Sequence, residues 1–234
     1  MQLFFFKSIN LSSMEVFFDE NESYHIIKVM RKKKGDIIKA TDGNGILLEI
    51  KITSIKSNKL IGLLLKKMNI KANKHSPDIG ICIPKKTSRF EWFIEKATEI
   101  GIRNIYPIIS HNTEKKNINY DRCKKIIKMA AKQSNNFYLP EIKNISFFKN
   151  FIVKKQKGFI ANCSKIDTKK FNEIKLYNNP LFLVGPEGDF SDFEIELAKK
   201  NGYISINFGK QILRSETAAI YICSICNNAN NLNF

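Results

Sequence analysis

The 234-residue sequence contains no apolar run that approaches the roughly 18 to 20 residues a helix needs to span a membrane. Leu3 to Phe6 is apolar, but this segment is too short for a signal peptide and lacks the basic residues that precede one. We therefore expect a cytoplasmic protein with no membrane-spanning segment.

Cysteine is scarce, and its number is odd. Without an export signal, a disulfide framework is not expected from these five residues, which are Cys82, Cys123, Cys163, Cys223 and Cys226. The last two form a CxxC pair, but no second pair of ligands lies at a spacing that suits zinc. They fall inside an apolar pattern, which predicts core packing and no metal site. No phosphate-binding GxxxxGK[ST] loop is present either.

Acidic residues are few relative to basic ones. The chain has 22 Asp and Glu residues against 39 Lys and Arg residues, a formal net charge of +17. Clustered cations neutralise phosphates, so this excess points to a polyanionic partner such as RNA. The sequence is also rich in Lys, Asn, Ile and Phe, as an AT-biased genome would make it whatever the function. Composition alone leaves both explanations open.

Residues 1–72 predict a small β-rich domain. Four segments are typical of strands, with a hairpin turn over residues 41–45 between the second and third; they are residues 3–6, 37–40, 46–52 and 59–66. A helix is predicted from Glu22 to Met30. The four cations that follow it, Arg31 to Lys34, suit a helix carboxyl end, and an RNA-facing patch is equally compatible with them.

A polar stretch near residues 66–76 marks a boundary, and residues 73–234 form the second predicted domain. A strand over 79–83, a helix and a strand over 105–109 make a βαβ unit, which indicates a largely parallel α/β sheet. Ser88 and Glu91 predict a capping box at the start of that helix. Its predicted inward face consists of Phe90, Phe93, Ile94 and Ala97. A further helix over 121–134 is predicted to turn inward Ile126, Ile127, Met129 and Ala130.

The most informative stretch runs from Leu181 to Ala219. A buried strand over 181–184 stops at Gly185-Pro186-Glu187-Gly188, and a second short strand over 204–208 stops at Gly209. Between them, Ser191 and Glu194 predict a capping box, and the helix it opens should bury Phe193, Leu197 and Ala198 before Gly202 ends it. The two corners can lie side by side at the carboxyl edge of a parallel sheet, where ligands bind.

The segment ILRSETA, residues 212–218, follows the second corner. An Arg, a Glu and a Thr in an otherwise apolar stretch are costly to bury without partners or a task. Together, GPEGDFS…E…FGKQILRSETA resembles the carboxyl-terminal signature of the ribosomal RNA small subunit methyltransferase E family. The resemblance extends to KKTSRFE (85–91), KATEIG (96–101) and AAKQS (130–134), and to residues 25–36 and 42–45.

That family belongs to the SPOUT class of S-adenosylmethionine-dependent methyltransferases. The resemblance implies a trefoil-knotted, mostly parallel α/β sheet preceded by a small β-barrel PUA-like domain that binds RNA. It further implies methylation of N3 of one uridine in 16S ribosomal RNA of the small ribosomal subunit, by a homodimer whose cofactor pocket lies near the interface. Another RNA, such as transfer RNA, or a non-catalytic RNA-binding role stays open.

The resemblance and the chemistry suggest roles for individual residues. Arg214 is the predicted cation and Glu216 the predicted carboxylate at the reacting base, with a buried Arg–Glu pair as the structural alternative. The predicted cofactor-binding residues are Leu183, Val184, Gly185, Pro186, Glu187, Gly188, Asn207, Phe208, Gly209, Ile212, Leu213 and Thr217. The predicted RNA contacts are Arg31, Lys32, Lys33, Lys85, Arg89 and Lys132, with Lys96 and Glu99 as weaker substrate or interface candidates.

The chain departs from the family pattern at two positions. Asp189 stands where the family commonly has glycine, which raises the question of whether a positive φ is needed there. Related enzymes usually carry an arginine near the position of Asn136, so an RNA or substrate contact is either missing or supplied by Lys132.

Overall fold

A computed structural model of the chain describes residues 2–56, 59–155, 157–162 and 168–232. Cys163 lies outside the described residues. The backbone contacts divide the chain into two compact units. The first consists of Met1–Ala72 and Ala131–Leu139, and the second of Asn73–Ala130 and Pro140–Phe234.

The first unit is built on one six-stranded sheet and one short helix. Its elements are β1 (Leu3–Phe5), β2 (Ser8–Asn10), β3 (Glu15–Phe17), α1 (Glu20–Tyr24, continued by a π-helix over His25–Val29), β4 (Ile37–Thr41), β5 (Ile46–Lys56) and β6 (Lys59–Asn69). The strand order is β1-β4-β5-β6-β3-β2, and only the β1–β4 pair is parallel. The predicted hairpin is confirmed, since β4 and β5 pair antiparallel around a turn in which Asp42 accepts from the Asn44 and Ile46 N–H groups.

The second unit is an α/β structure. Its elements are β7 (Asp78–Cys82), α2 (Thr87–Ile100), β8 (Asn104–Ile109), α3 (Tyr120–Ser134), β9 (Glu141–Ile142), β10 (Ser146–Phe147), α4 (Phe148–Lys154), β11 (Gly158–Ala161), β12 (Lys169–Lys170), β13 (Leu181–Val184), α5 (Asp192–Lys200), β14 (Tyr203–Asn207) and α6 (Ser215–Leu232). The last turn of α3 groups with the first unit.

The strands of this second sheet follow the order β10-β8-β7-β13-β11-β14-β12, with β9 beside β8. Every described pair is parallel. The sequence-based prediction of a mostly parallel α/β sheet is therefore confirmed. Among the described residues, no helix combines the length and the hydropathy that crossing a membrane requires.

Helix α2 has the inward face that its periodicity predicts, but it begins differently. Phe90, Phe93, Ile94 and Ala97 are all buried, and Gly101 ends the helix with a φ of 113°. The predicted Ser88–Glu91 capping box is wrong. The helix begins at Thr87 after Lys86, so Ser88 already lies within the first turn and cannot serve as N-cap.

Helix α5 does begin with the predicted capping box, in which Ser191 and Glu194 bond to each other's backbone N–H groups. The prediction that Phe193 is buried is wrong, because its side chain is 72% exposed. The buried positions are Glu194, Ile195 and Ala198. Glu194 faces inward, where it also accepts a bond from the His111 N–H, so Phe193, one residue earlier, faces away.

Helix α3 differs from its prediction at one position. Ile127 and Ala130 are buried and Ile126 is half-buried, but Met129 is 70% exposed, so its predicted inward position is wrong. Cys123 takes a place in the buried stripe instead, at spacings of four and seven residues from Ile127 and Ala130.

Cys223 and Cys226 are fully buried in α6, as the core-packing prediction requires. Burial raises the pKa of the Cys226 thiol from 9.0 to about 12 and that of Cys223 well above its ordinary value. The unfolded chain therefore loses these protons at a lower pH than the folded chain. Each thiol's contribution to stability is complete below pH 9 and is lost as the pH rises, by about 1.4 kcal/mol per pH unit.

We expect Cys226→Ala to flatten this pH dependence. Between pH 9 and 10.5 the free energy of unfolding, measured by urea denaturation, should fall less steeply in the variant by about 1.4 kcal/mol per pH unit. Other titrating groups contribute equally to both proteins and cancel in the comparison. Parallel slopes would mean that Cys226 ionises in the folded state as readily as in the unfolded chain.

Candidate functional site

The first corner follows β13, which is buried along its whole length. After Val184 the chain turns through Gly185 and Pro186, and the Asp189 N–H donates to the Pro186 carbonyl at 3.0 Å. Asp189 has a φ of 57°, so the positive φ in question is present, and aspartate supplies it. Its Oδ1 accepts from the Phe190 N–H at 2.8 Å, a local bond that suits this conformation.

The second corner follows β14. Gly209 has a φ of 109°, a left-handed conformation that favours glycine, and its N–H donates to Asn207 Oδ1 at 3.2 Å. The amide nitrogen of the same Asn207 donates to Thr168 Oγ1 at 2.7 Å. The Asn207 side chain therefore supports the turn that carries the chain away from the sheet.

The two corners are not on adjacent strands, because β11 lies between β13 and β14. They nevertheless line one cavity of about 470 Å³. Its lining residues come from the ends of β11, β13 and β14, from α2 and from the start of α6; they are Arg89, Ala161, Asn162, Val184, Gly185, Pro186, Glu187, Asp189, Asn207, Phe208, Gly209, Lys210, Gln211, Ile212, Leu213, Arg214, Ser215 and Ala218. A cavity at the carboxyl edge of a parallel sheet is the expected place for a ligand.

Most of the predicted cofactor residues line this cavity, and three do not. Leu183 is fully buried in the sheet, where its side chain packs over Gly80. Gly188 faces the side chain of Asn112, which donates to the Gly188 carbonyl at 3.0 Å. Thr217 lines a neighbouring cavity. Each of the three is next to a residue that lines the cavity. The local sequence does not determine which of two neighbouring residues faces the cavity.

Arg89, a predicted RNA contact, lies between the first corner and the start of α6. Its Nη1 lies 3.3 Å from Glu187 Oε1, and its Nε lies 3.5 Å from Glu216 Oε1. The Lys85 backbone N–H also donates to Glu187 Oε1 at 3.4 Å. The Arg89 side chain, 26% exposed, therefore connects α2 with the first corner and with the start of α6.

Arg214 and Glu216 are close in sequence but are not paired with each other. Within the described part of the chain, the Arg214 guanidinium forms no hydrogen bond or ion pair, and the residue is exposed at the cavity wall. The buried Glu216 instead has Arg89 as its ionic partner. The structural alternative of a buried Arg–Glu pair thus involves a different arginine, and Arg214 is left available to a ligand.

Several lining residues were missed by the sequence-based prediction. Ser215, which is buried, donates from its Oγ to the Gly185 carbonyl at 2.6 Å and so ties α6 to the first corner. Asn162 lines the cavity because it directly follows β11, which lies between the two corner strands β13 and β14. Lys210 and Gln211 lie between two predicted cofactor-binding residues, Gly209 and Ile212, and this position in the sequence could have indicated them. No local pattern marks Asn162.

The remaining predicted RNA contacts have varied surroundings. In the first unit, Arg31 and Lys33 are exposed and Lys32 is half-buried. The Lys132 ammonium lies 2.7 Å from Glu22 Oε1, and that carboxylate is buried, so this geometry favours a structural role. In the second unit, the Lys85 ammonium lies 2.8 Å from Glu114 at the surface. Lys96 lies between Glu95 and Glu99 on α2.

Comparison with known proteins identifies the family. Residues 72–227 match the model described as an RNA methyltransferase domain, and residues 18–65 match the RNA methyltransferase PUA domain. The predicted PUA-like domain ahead of the α/β sheet is therefore confirmed.

Among curated relatives, ribosomal RNA small subunit methyltransferase E of Buchnera aphidicola (subsp. Schizaphis graminum) is 32% identical over 85% of this chain and 84% of its own length. The enzyme of the same name from Mesomycoplasma hyopneumoniae is 37% identical over 60% of this chain and 65% of that relative.

A solved structure has the same fold. Ribosomal RNA small subunit methyltransferase E from Neisseria gonorrhoeae, crystallised with S-adenosyl methionine, superposes with a TM-score of 0.84 at 23% identity, over 99% of this chain and 98% of that one. At that identity the similarity establishes the fold, and the matches to the family model and the Buchnera relative establish membership. The chain belongs to the ribosomal RNA small subunit methyltransferase E family of RNA methyltransferases.

Proposed function

We propose that this protein uses S-adenosylmethionine to methylate N3 of one uridine in the 16S ribosomal RNA of the small subunit. The observation that carries the proposal is the cavity of about 470 Å³ in which both glycine corners meet the guanidinium of Arg214, a group without an ionic partner among the described residues. The relatives are named for action on small-subunit ribosomal RNA, which supports this choice of substrate.

The cavity residues suit the donor. Its volume falls within the range of about 300 to 1,000 Å³ that is usual for small-molecule sites. Glu187, Asp189 and Asn207 offer oxygens for the amine and the ribose hydroxyls, and Val184 and Leu213 offer apolar surface for the adenine. When bound, S-adenosylmethionine supplies a methyl group on a sulfonium sulfur, which keeps the carbon–sulfur bonding pair when the methyl group leaves.

The protein's own part in the reaction is to orient the acceptor and manage its proton. Holding the uracil N3 in line with the methyl carbon is an orientation effect. The N3 proton passes to the Glu216 carboxylate, and the N3 electron pair forms the new bond to carbon. Arg214 stabilises the negative charge that spreads over O2 and O4. Arg89, at 3.5 Å, holds Glu216 in place for that role.

We propose that residues 1–72 bind the RNA, with Arg31, Lys32 and Lys33 contacting phosphates and residues 73–234 carrying the reaction. The net charge of +17 supports such contacts. A homodimer is part of the proposal, and the exposed apolar side chains of Ile212 (82%) and Tyr221 (44%) support it. In solution the sedimenting mass should be about twice 27.0 kDa.

Mass spectrometry of nucleosides tests the reaction. We expect 16S ribosomal RNA from cells that lack this gene to have lost 3-methyluridine, and the purified protein with S-adenosylmethionine to restore one methyl group per small subunit. Transfer RNA from the same cells, treated identically, is the control. Methylation of transfer RNA instead would favour the other substrate. If calorimetry shows no saturable heat with S-adenosylmethionine, the result would favour a non-catalytic RNA-binding role.

A further inference from the structure

A second cavity, of about 390 Å³, adjoins the first and shares Arg89 and Arg214 with it. Its lining residues are Ser88, Arg89, Trp92, Arg214, Glu216 and Thr217. The first cavity accounts for the donor, but it does not include Glu216, the predicted proton acceptor. The space that contains that carboxylate is therefore the second one.

Helices α2 and α6, which pack together, build the second cavity. On α2, Ser88 and Arg89 lie four and three residues before Trp92, so all three are on one side of the helix. Phe90 and Phe93 are on its buried face. On α6, the first turn contributes Glu216 and Thr217. The helix packing thus brings an aromatic ring, two guanidinium groups and a carboxylate around one space.

Trp92 is the only tryptophan of the chain and is 43% exposed. Among the described residues, its indole N–H has no hydrogen-bond partner. A half-exposed indole on a solvent face is common, but this one lines a cavity beside two arginines. Stacking of a base on an aromatic side chain stabilises a complex by about 1 to 3 kcal/mol, which is roughly 5- to 150-fold in affinity.

The polar groups match the imide edge of uracil. That edge presents a carbonyl oxygen, an N–H and a second carbonyl oxygen in sequence. The cavity offers Arg214 and Arg89 as donors and Glu216 as an acceptor. Cytosine presents an unprotonated N3 and an amino group along the same edge. Its N3 would meet the carboxylate and its amino group would meet a cation, so the cavity discriminates against cytosine.

We infer that this second cavity receives the acceptor uracil as an unpaired base, stacked on Trp92 with its imide edge toward Glu216 and the arginines. The inference rests on the proposed function and deepens it by assigning the base a site separate from that of the donor. Enzymes that modify a base take it out of the stack into such a pocket and recognise its Watson–Crick edge there. Trp92 is then a substrate-binding residue.

Because the chain has one tryptophan, its fluorescence reports on this cavity directly. We expect the single-stranded pentanucleotide U5 to quench Trp92 emission saturably, and C5 to bind at least about tenfold more weakly. The matched control is the double variant Trp92→Phe with Phe193→Trp, which moves the reporter to the exposed outer face of α5. U5 should not quench the emission of that variant.

A second variant separates binding from signal. Trp92→Leu keeps an apolar side chain but removes the aromatic stacking surface, so its affinity for end-labelled U5, measured by anisotropy, should fall about tenfold. The heat of S-adenosylmethionine binding and the thermal midpoint should stay as in the parent. Because Trp92 is not a core residue, a large loss of thermal stability is not expected.

Equal quenching by U5 and C5, or none by either, would overturn the inference. A Trp92→Leu variant that binds U5 normally would overturn it too. So would a variant that sediments at a lower mass than the parent, because Trp92 would then hold two copies of the chain together and the second copy would cover the cavity. Failure of the reaction itself looks different. If the protein forms no 3-methyluridine while U5 still quenches selectively, the uracil site stands and the proposed methylation falls.

Discussion

Replacing Arg214 with alanine is expected to lower the rate of methyl transfer about 100- to 1,000-fold and to leave S-adenosylmethionine binding intact. The guanidinium is exposed at the cavity wall and has no partner within the described residues, so its removal disturbs no internal contact. Its proposed task, stabilising charge on the uracil oxygens, arises as the reaction proceeds. The loss should therefore appear in kcat.

The measurement pairs single-turnover methylation of small-subunit ribosomal RNA with calorimetry of cofactor binding. Lys124→Ala, which removes an exposed cation from α3, is the matched control and should leave both quantities unchanged. Arg214→Lys should recover part of the rate, since it keeps the charge and loses the planar fork of donors. An unchanged rate of methyl transfer in the alanine variant would show that Arg214 has no catalytic role.

Replacing Lys132 with methionine is expected to destabilise the protein by about 3 to 5 kcal/mol, because it removes the ammonium that lies against the buried carboxylate of Glu22. The ammonium lies 2.7 Å from Glu22 Oε1 and 5.9 Å from the ring centroid of Phe5. The Phe5 N–H donates to the same carboxylate at 2.8 Å. The Lys132 side chain is only 17% exposed, so solvent screens the pair weakly.

Urea denaturation measures this effect. Lys124→Met, on the exposed side of the same helix, is the control and should change the unfolding free energy by less than about 0.5 kcal/mol. Adding Glu22→Gln to Lys132→Met should recover part of the loss, since a neutral amide can still accept from the Phe5 N–H. A stable Lys132→Met protein with weakened RNA binding would return Lys132 to the role of an RNA contact.

Several patterns confined to one or two turns of chain were predicted correctly, although the Ser88–Glu91 capping box was not. The Ser191–Glu194 capping box, the inward face of α2 and the burial of Cys223 and Cys226 all depend on spacings within a single element. Met129 and Phe193 are exposed although both side chains are apolar. Cys123 and Glu194 took inward positions instead, the second because its carboxylate has backbone donors to satisfy.

The trefoil knot stays a prediction, since it rests on the family resemblance. What the sequence by itself determined are several of the strands and helices and the two corners, because apolar periodicity, glycine at positive φ and helix capping act between residues a few positions apart. Only the tertiary structure decided that Arg89 lies against Glu187, 98 residues away, and against Glu216. Such ion pairs depend on the order of strands in the sheet and on the packing of α2 against α6, and no local spacing encodes either.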